Sequence, residues 1–254
     1  MKQRVISGVF IAIICIVAVL FGGVFLDGLL AFIGIYGSYE FVKIRKEKFD
    51  LLLFVLMASS LMGIFLFNEY ALCIALFEIL LLLGIAVFYE KENFDDVSSV
   101  AMMSLLLGYT LYFIRMFWHL NRFLLAYVLI VSFLTDIFAF QVGIKFGKHK
   151  LNPRISPKKT IEGSIGGWVF GCVISFAWAF LFHFFDMKPL LFILGSLFLP
   201  LVSEVGDLAF SLIKRHYGVK DFSNLIPGHG GILDRIDSHV FCVVLFGILM
   251  TIFA

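Results

Sequence analysis

Apolar runs long enough to cross a lipid bilayer recur from one end of this chain to the other, and that recurrence leaves it few ways to fold. A transmembrane helix needs about 20 predominantly apolar residues, at a rise of about 1.5 Å per residue. Runs of this kind lie at roughly 5–22, 25–42, 51–67, 70–89, 98–118, 123–143, 161–185, 189–206 and 237–254. In hydrocarbon every backbone N–H and C=O must be paired within the protein, so such runs form helices. The expected fold is therefore all-α: a polytopic integral membrane helical bundle of about nine transmembrane helices. Composition agrees, with 61% of the 254 residues hydrophobic and 15% charged. A soluble domain cannot hide that much apolar surface. The first two runs, parted only by Gly22, Gly23 and Asp27, also fit a re-entrant pair. The eighth is interrupted by Pro200 and followed by Glu204 and Asp207.

Lys and Arg cluster at Lys2 and Arg4, at Lys43, Arg45, Lys46 and Lys48, at Lys145, Lys148, Lys150, Arg154, Lys158 and Lys159, and at Lys214, Arg215, Lys220 and Arg235. In a nine-span arrangement these fall on one side, which the positive-inside rule makes cytoplasmic. The N-terminus is thus expected in the cytoplasm, with Arg115 and Arg122 running against the pattern. No clear cleavage site follows the first run, so it reads as a retained span. Two polar loops, about 144–160 and 207–236, are expected on the cytoplasmic side. They divide the chain into a scaffold of N-terminal helices, 1–120, and a catalytic region, 121–254. Net charge is +2, which gives no reason to expect a nucleic-acid partner. Cys15, Cys73, Cys172 and Cys242 sit singly in apolar runs and read as small buried hydrophobes.

The chemistry concentrates in the second half. From Ser203 the chain reads S-E-V-G-D-L-A-F-S-L-I-K-R. At 3.6 residues per turn, Glu204, Asp207, Ser211, Lys214 and Arg215 share an arc of about 100°. Carboxylates and cations so near the membrane usually face a cavity or a partner, the bland alternative being a juxtamembrane helix with its charges in water. Lys220 and Asp221 follow, then Pro227-Gly228-His229-Gly230-Gly231, then Asp234-Arg235-Ile236-Asp237. Glycines in such a loop let backbone N–H groups turn toward an anion. Asp234 and Asp237 could simply stabilise the first turn of the last helix. Taken with Asp207 and Asp221 they make four carboxylates among four cations. That mixture suits phosphoryl or nucleotidyl transfer, with carboxylates for a hard cation such as Mg²⁺ and Lys and Arg for phosphate. His229 alone carries no assignment as a base.

Upstream, Asp136 lies within an apolar run, where hydrogen bonding between helices is as good a reading as function. Ser156-Pro157-Lys158-Lys159-Thr160 offers hydroxyls and ammonium groups suited to a triphosphate, although a basic run also fits attraction to lipid headgroups. Gly163, Gly167 and Gly171, four apart, form a ridge for close helix packing. Glu40 and Glu78 read as packing or interfacial residues. No Walker-type G-x-x-x-x-G-K-[ST] loop, H-E-x-x-H or G-x-S-x-G occurs.

Residues 211–238, S-L-I-K-R-H-Y-G-V-K-D-F-S-N-L-I-P-G-H-G-G-I-L-D-R-I-D-S, resemble the signature of the phosphatidate cytidylyltransferases. Residues 146–167, F-G-K-H-K-L-N-P-R-I-S-P-K-K-T-I-E-G-S-I-G-G, resemble a second stretch characteristic of the same family. The resemblance covers about a fifth of the chain. It implies an all-helical homodimer in the bilayer that converts CTP and phosphatidic acid to CDP-diacylglycerol and pyrophosphate. It also implies a Mg²⁺ requirement with a second, monovalent cation such as K⁺ nearby. Asp207 and Asp234 match the family's metal-holding aspartates. Lys214, Arg215, Lys220, Asp221 and Asp237 match its other motif positions and complete the expected catalytic set. Ser156, Lys158, Lys159, Thr160, His229, Gly230, Gly231 and Arg235 are the expected substrate-binding residues. Small size and plain topology fit a bacterial inner membrane, with the active site facing the cytoplasm. The competing expectations are a CTP-dependent kinase or cytidylyltransferase for another lipid or a polyprenol, and a transporter. Polar features confined to the second half argue against the transporter.

Overall fold

The computed structural model describes residues 2–45, 49–90 and 93–253. Lys46 and Lys48 lie outside the described residues, as do the side chains of Lys2 and Arg4. The chain forms two compact units, Met1–Met116 with Asp221–Arg235, and Phe117–Lys220 with Ile236–Ala254.

The first unit contains helices α1 (Lys2–Phe21), α2 (Gly23–Arg45), α3 (Leu51–Leu66), α4 (Ala71–Phe88) and most of α5 (Phe94–Leu120), to which the 221–235 segment returns. Gly22, with φ of 57°, makes the break between α1 and α2. Asp50 starts α3 by accepting hydrogen bonds from the N–H groups of Leu52 (2.9 Å) and Leu53 (3.1 Å). Inside, Gly34 lets α2 meet Leu61 and Leu111 so closely that a Cβ would lie 2.6 and 2.8 Å from them. Two pairs of buried polar side chains offset the cost of leaving water. Arg45 meets Asp96 at 2.8 Å, and the Ser60 hydroxyl donates to Glu78 at 2.6 Å.

The second unit contains α6 (Arg122–Phe146), a β-hairpin of β1 (Lys150–Asn152) and β2 (Ser156–Thr160), α7 (Ile161–Leu181), the short α8 (Phe184–Met187), α9 (Pro189–His216) and most of α10 (Leu233–Ile252). The glycine ridge of α7 lies against α6: a Cβ on Gly163 would sit 2.6 Å from the Ala139 carbonyl, and one on Gly167 2.7 Å from the Ala139 Cβ. Side chains there would force the helices apart. α9 passes straight through Pro200. Proline has no N–H for the carbonyl of Ser196 four residues back. The Ser175 hydroxyl of α7 lies 3.1 Å from that carbonyl, within hydrogen-bond reach, and shares its one proton with the nearer Gly171 carbonyl at 2.8 Å.

Among the described residues, seven helical stretches are long and apolar enough to cross a membrane by length and composition, and the apolar helices Gly8–Phe21 and Leu51–Leu66 are shorter. Large apolar side chains stand outward on them, among them Val24, Phe88 and Phe180, as suits a lipid solvent. The chain is a polytopic, all-α membrane protein. Two details differ from the sequence expectation. The 144–160 segment holds a two-stranded hairpin, helped by Pro157, which favours extended backbone at Ser156 before it. Residues 207–216 are helix, not loop. Their polar side chains occupy one stripe and leave the helical period intact. α9 stops where Gly218 turns left-handed (φ 69°), with the N–H of Val219 returning to the carbonyl of Lys214.

Candidate active site

Within the second unit, four carboxylates come within electrostatic reach of one another and of two lysines. Asp136 comes from α6, Glu204 and Asp207 from α9, Asp237 from α10, Lys159 from β2 and Lys214 from α9. On β2 Lys159 is half-buried while Lys158 is exposed. Lys159 Nζ lies 2.6 Å from Asp207 Oδ2 in an ion pair. Ser238 of α10 ties the cluster together: its hydroxyl donates to Asp136 at 2.6 Å, and its N–H donates to Asp237 at 2.9 Å. Ser164 of α7 donates to Glu204 Oε2, while Glu204 Oε1 is buried and unpaired. Asp136, Glu204, Ser164 and Ser238 were not singled out for this chemistry by sequence. An ionisable residue at membrane depth was the available signal.

Around this cluster the hairpin is held by its root. Glu162 accepts from the N–H groups of Lys148 (3.0 Å) and His149 (3.2 Å). Thr160 is buried, and its hydroxyl accepts from the N–H of Gly163 at 3.2 Å as the N-cap of α7. Arg215 contacts backbone carbonyls, those of Val219 (2.9 Å) and Ile155 (3.4 Å). Thr160 and Arg215, expected at the substrate and in catalysis, thus have demonstrable duties in holding the hairpin and the end of α9. Ser156 is half-buried on the hairpin, and Lys220 is exposed beyond α9.

Within the first unit, the 221–235 segment is organised by two other carboxylates. Asp234 Oδ2 accepts from the N–H groups of Phe222 (2.8 Å) and Gly231 (2.9 Å). Glu40 of α2 accepts from the Ser223 hydroxyl (2.6 Å) and from the N–H groups of Ile232 and Leu233 (2.9 Å each). Between these anchors, Pro227 and Gly228 form a tight turn closed by the His229 N–H on the Ile226 carbonyl at 2.9 Å. Gly228 has φ of 78°, the left-handed value such a turn requires after proline. The Gly231 N–H, expected to face an anion, instead serves Asp234. Asp221 and Arg235 are exposed, whereas His229 and Gly230 are half-buried.

Among the described residues no group of three or more His, Cys, Asp or Glu converges tightly enough to hold a metal unaided. The donor chemistry nevertheless suits Mg²⁺, which takes one or two carboxylates and completes its shell with water and substrate phosphates. Asp207 meets protein mainly through the exchangeable Lys159. Asp234 has one oxygen committed to backbone, and a carboxylate offers about four lone-pair sites in all.

Residues 2–253 match the sequence model of a group described as the cytidylyltransferase family. The chain is 34% identical over 270 residues to phosphatidate cytidylyltransferase of Bacillus subtilis (strain 168), covering 100% of this chain and 99% of that one. It is 32% identical over 228 residues to the phosphatidate cytidylyltransferase of Thermotoga maritima, covering 85% of this chain and 84% of that one. Against the enzyme of that name from Staphylococcus haemolyticus it is 44% identical over 126 residues, covering 50% of this chain and 48% of that one.

Proposed function

The chain belongs to the cytidylyltransferase family, and from that premise we propose that it transfers the cytidylyl group of CTP to phosphatidic acid, giving CDP-diacylglycerol and pyrophosphate. The observation that carries the reading furthest is the Lys159–Asp207 pair inside a cluster of carboxylates and lysines. An ammonium group held by a single carboxylate can exchange it for a phosphate oxygen, and the carboxylate would then be available to a metal.

The phosphate of phosphatidic acid carries between one and two negative charges near neutral pH, with a second pKa of about 6, so it needs no strong base. Its oxygen attacks the α-phosphorus of CTP in line. A new O–P bond forms as the bond to the β-phosphate oxygen breaks, and pyrophosphate leaves with that electron pair. Two anions must meet, so charge neutralisation dominates the barrier. Lys159 and Lys214 neutralise phosphate oxygens in this reading, with Lys158, Arg215, Lys220 and Arg235 contributing a wider positive field. Ser156, His229 and Gly230 are proposed contacts of the nucleotide. Asp207 and Asp234 are the proposed holders of Mg²⁺, which when bound would supply positive charge to neutralise phosphate. Asp237 and Asp221 are proposed to set the local field, and a monovalent cation would sit nearby. The enzyme is proposed to act as a homodimer in a bacterial inner membrane with this chemistry on the cytoplasmic side.

The test uses purified protein in detergent with phosphatidic acid and CTP labelled at the α- or γ-phosphate. Label from the α-phosphate should enter the lipid, pyrophosphate should appear in equal amount, and both should stop when Mg²⁺ is chelated. Transfer of γ-label instead would make the enzyme a kinase and remove the proposal.

A further inference from the structure

We propose that Glu40, a buried glutamate of α2, is a positioning residue for the reaction: its carboxylate closes the 223–233 segment into one fixed loop and so sets the glycine turn against the nucleotide. The inference rests on the reading of that turn as substrate-binding.

The geometry goes beyond what starting a helix requires. The first N–H groups of a helix lack intrahelical partners, and a carboxylate is well suited to receive them. Glu40 does this for α10, taking the N–H groups of Ile232 and Leu233 at 2.9 Å each. The same carboxylate also takes the Ser223 hydroxyl at 2.6 Å. One side chain therefore ties residue 223 to residues 232 and 233, and the Pro227–Gly231 turn is the loop between the tied ends. Glu40 is 0% exposed, so water cannot substitute for it. Gly231 packs on it so tightly that a Cβ would overlap the carboxylate oxygens. Ser223 in turn receives the Leu225 N–H at 3.2 Å, carrying the restraint one step toward the turn. Glutamine, the same size, would place an NH₂ against an N–H or the Ser223 hydroxyl and lose acceptors. Small displacements of a substrate-positioning loop are costly: about 1 Å can reduce turnover about a hundredfold.

The experiment compares wild type, Glu40→Gln, Ser223→Ala and the double variant as purified full-length proteins. It reads kcat and KM for CTP and for phosphatidic acid separately, with Tm and folded fraction measured alongside. Ser223→Ala leaves both bonds to the start of α10 intact, so it should fold with a wild-type Tm. Its kcat/KM for CTP should nevertheless fall about fivefold, and that of Glu40→Gln about tenfold or more. The double variant should be no worse than Glu40→Gln within about twofold, because both changes cut one connection. KM for phosphatidic acid should move less than KM for CTP. Unchanged constants in Ser223→Ala, or losses that multiply in the double variant, would overturn the proposal. A purely structural Glu40 would lower Tm and folded fraction while leaving kcat and KM per folded enzyme at wild-type values, which also overturns it. If the wild type makes no CDP-diacylglycerol, it is the functional reading that fails.

Discussion

The 221–235 segment and the cluster around α9 are both built on buried acidic side chains, yet they use them in opposite ways. In the first, Glu40 and Asp234 commit oxygens to backbone N–H groups and a serine hydroxyl, so the carboxylates hold the chain's shape. In the second, Asp207 and Asp136 meet side chains, a lysine and a serine, and Glu204 keeps one oxygen unpaired. A carboxylate that holds backbone cannot be removed without disturbing the fold. One that faces an exchangeable lysine can be removed with the fold intact and only its charge lost. Stability and turnover should therefore separate between the two regions.

Asp207→Asn tests this most severely. It should reduce kcat by about a hundredfold to a thousandfold, the scale of losing one preorganised electrostatic contact, with Tm nearly unchanged. Turnover close to wild type in the purified variant would remove Asp207 from the metal assignment. Asp234→Asn should cost a similar factor in turnover but should also lower Tm. It replaces the charged acceptor of two N–H groups with a neutral amide oxygen, and a hydrogen bond to a charged group is worth about 1.5–3 kcal/mol against about 0.5–1.5 kcal/mol for a neutral one. Equal Tm values for the two asparagine variants would erase the contrast between the regions. Lys159→Met should come next, with about a tenfold to hundredfold loss in kcat/KM. The exposed Lys158→Ala should mainly raise a KM. A Lys158 loss larger than that of Lys159 would reverse the assignment made from their burial.

Much of the scaffold was legible because hydrophobic runs report directly on solvent. Eight of the nine expected apolar runs fall on a single helix to within one or two residues at the ends, including the run containing Pro200, whereas 161–185 breaks after Leu181 into a turn and the short α8. The Ser196 carbonyl freed by that proline lies within hydrogen-bond reach of Ser175, 25 residues before Pro200, and no local pattern announces that partner. The candidate site was legible as residue types. A glycine turn, clustered Asp and Lys, and the lysine pair of the hairpin all pointed toward phosphate chemistry. Their division of labour was hidden, because it depends on distant partners. Glu40 meets Ser223 across 183 positions, and Lys159 reaches Asp207 across 48. A buried glutamate in the N-terminal half looked like packing, since nothing nearby in sequence could pair with it. The reading of 207–216 as loop failed for a different reason. Charge density suggested exposure, but the apolar face of the same stretch kept the helical period to His216.

The smallest effect belongs to Thr160, and it separates two roles that sequence could not. As a substrate contact, its hydroxyl would be used in turnover. In the structure that hydroxyl caps α7 through the Gly163 N–H. Thr160→Val keeps the shape and removes the acceptor, so it should destabilise the protein by about 1 kcal/mol, the usual cost of losing an N-cap. Thr160→Ser keeps the cap and should restore Tm. If the cap is the whole role, KM for CTP stays at the wild-type value in both variants while Tm falls only in the valine protein. If the hydroxyl binds triphosphate, KM rises in the valine protein and Tm barely moves. The side chain sits next to Lys159, whose position depends on β2 joining α7 at the correct angle. A capping role therefore also predicts a modest fall in kcat for Thr160→Val that is smaller in Lys159→Met/Thr160→Val relative to Lys159→Met alone, because one route from the cap to the reaction runs through that lysine.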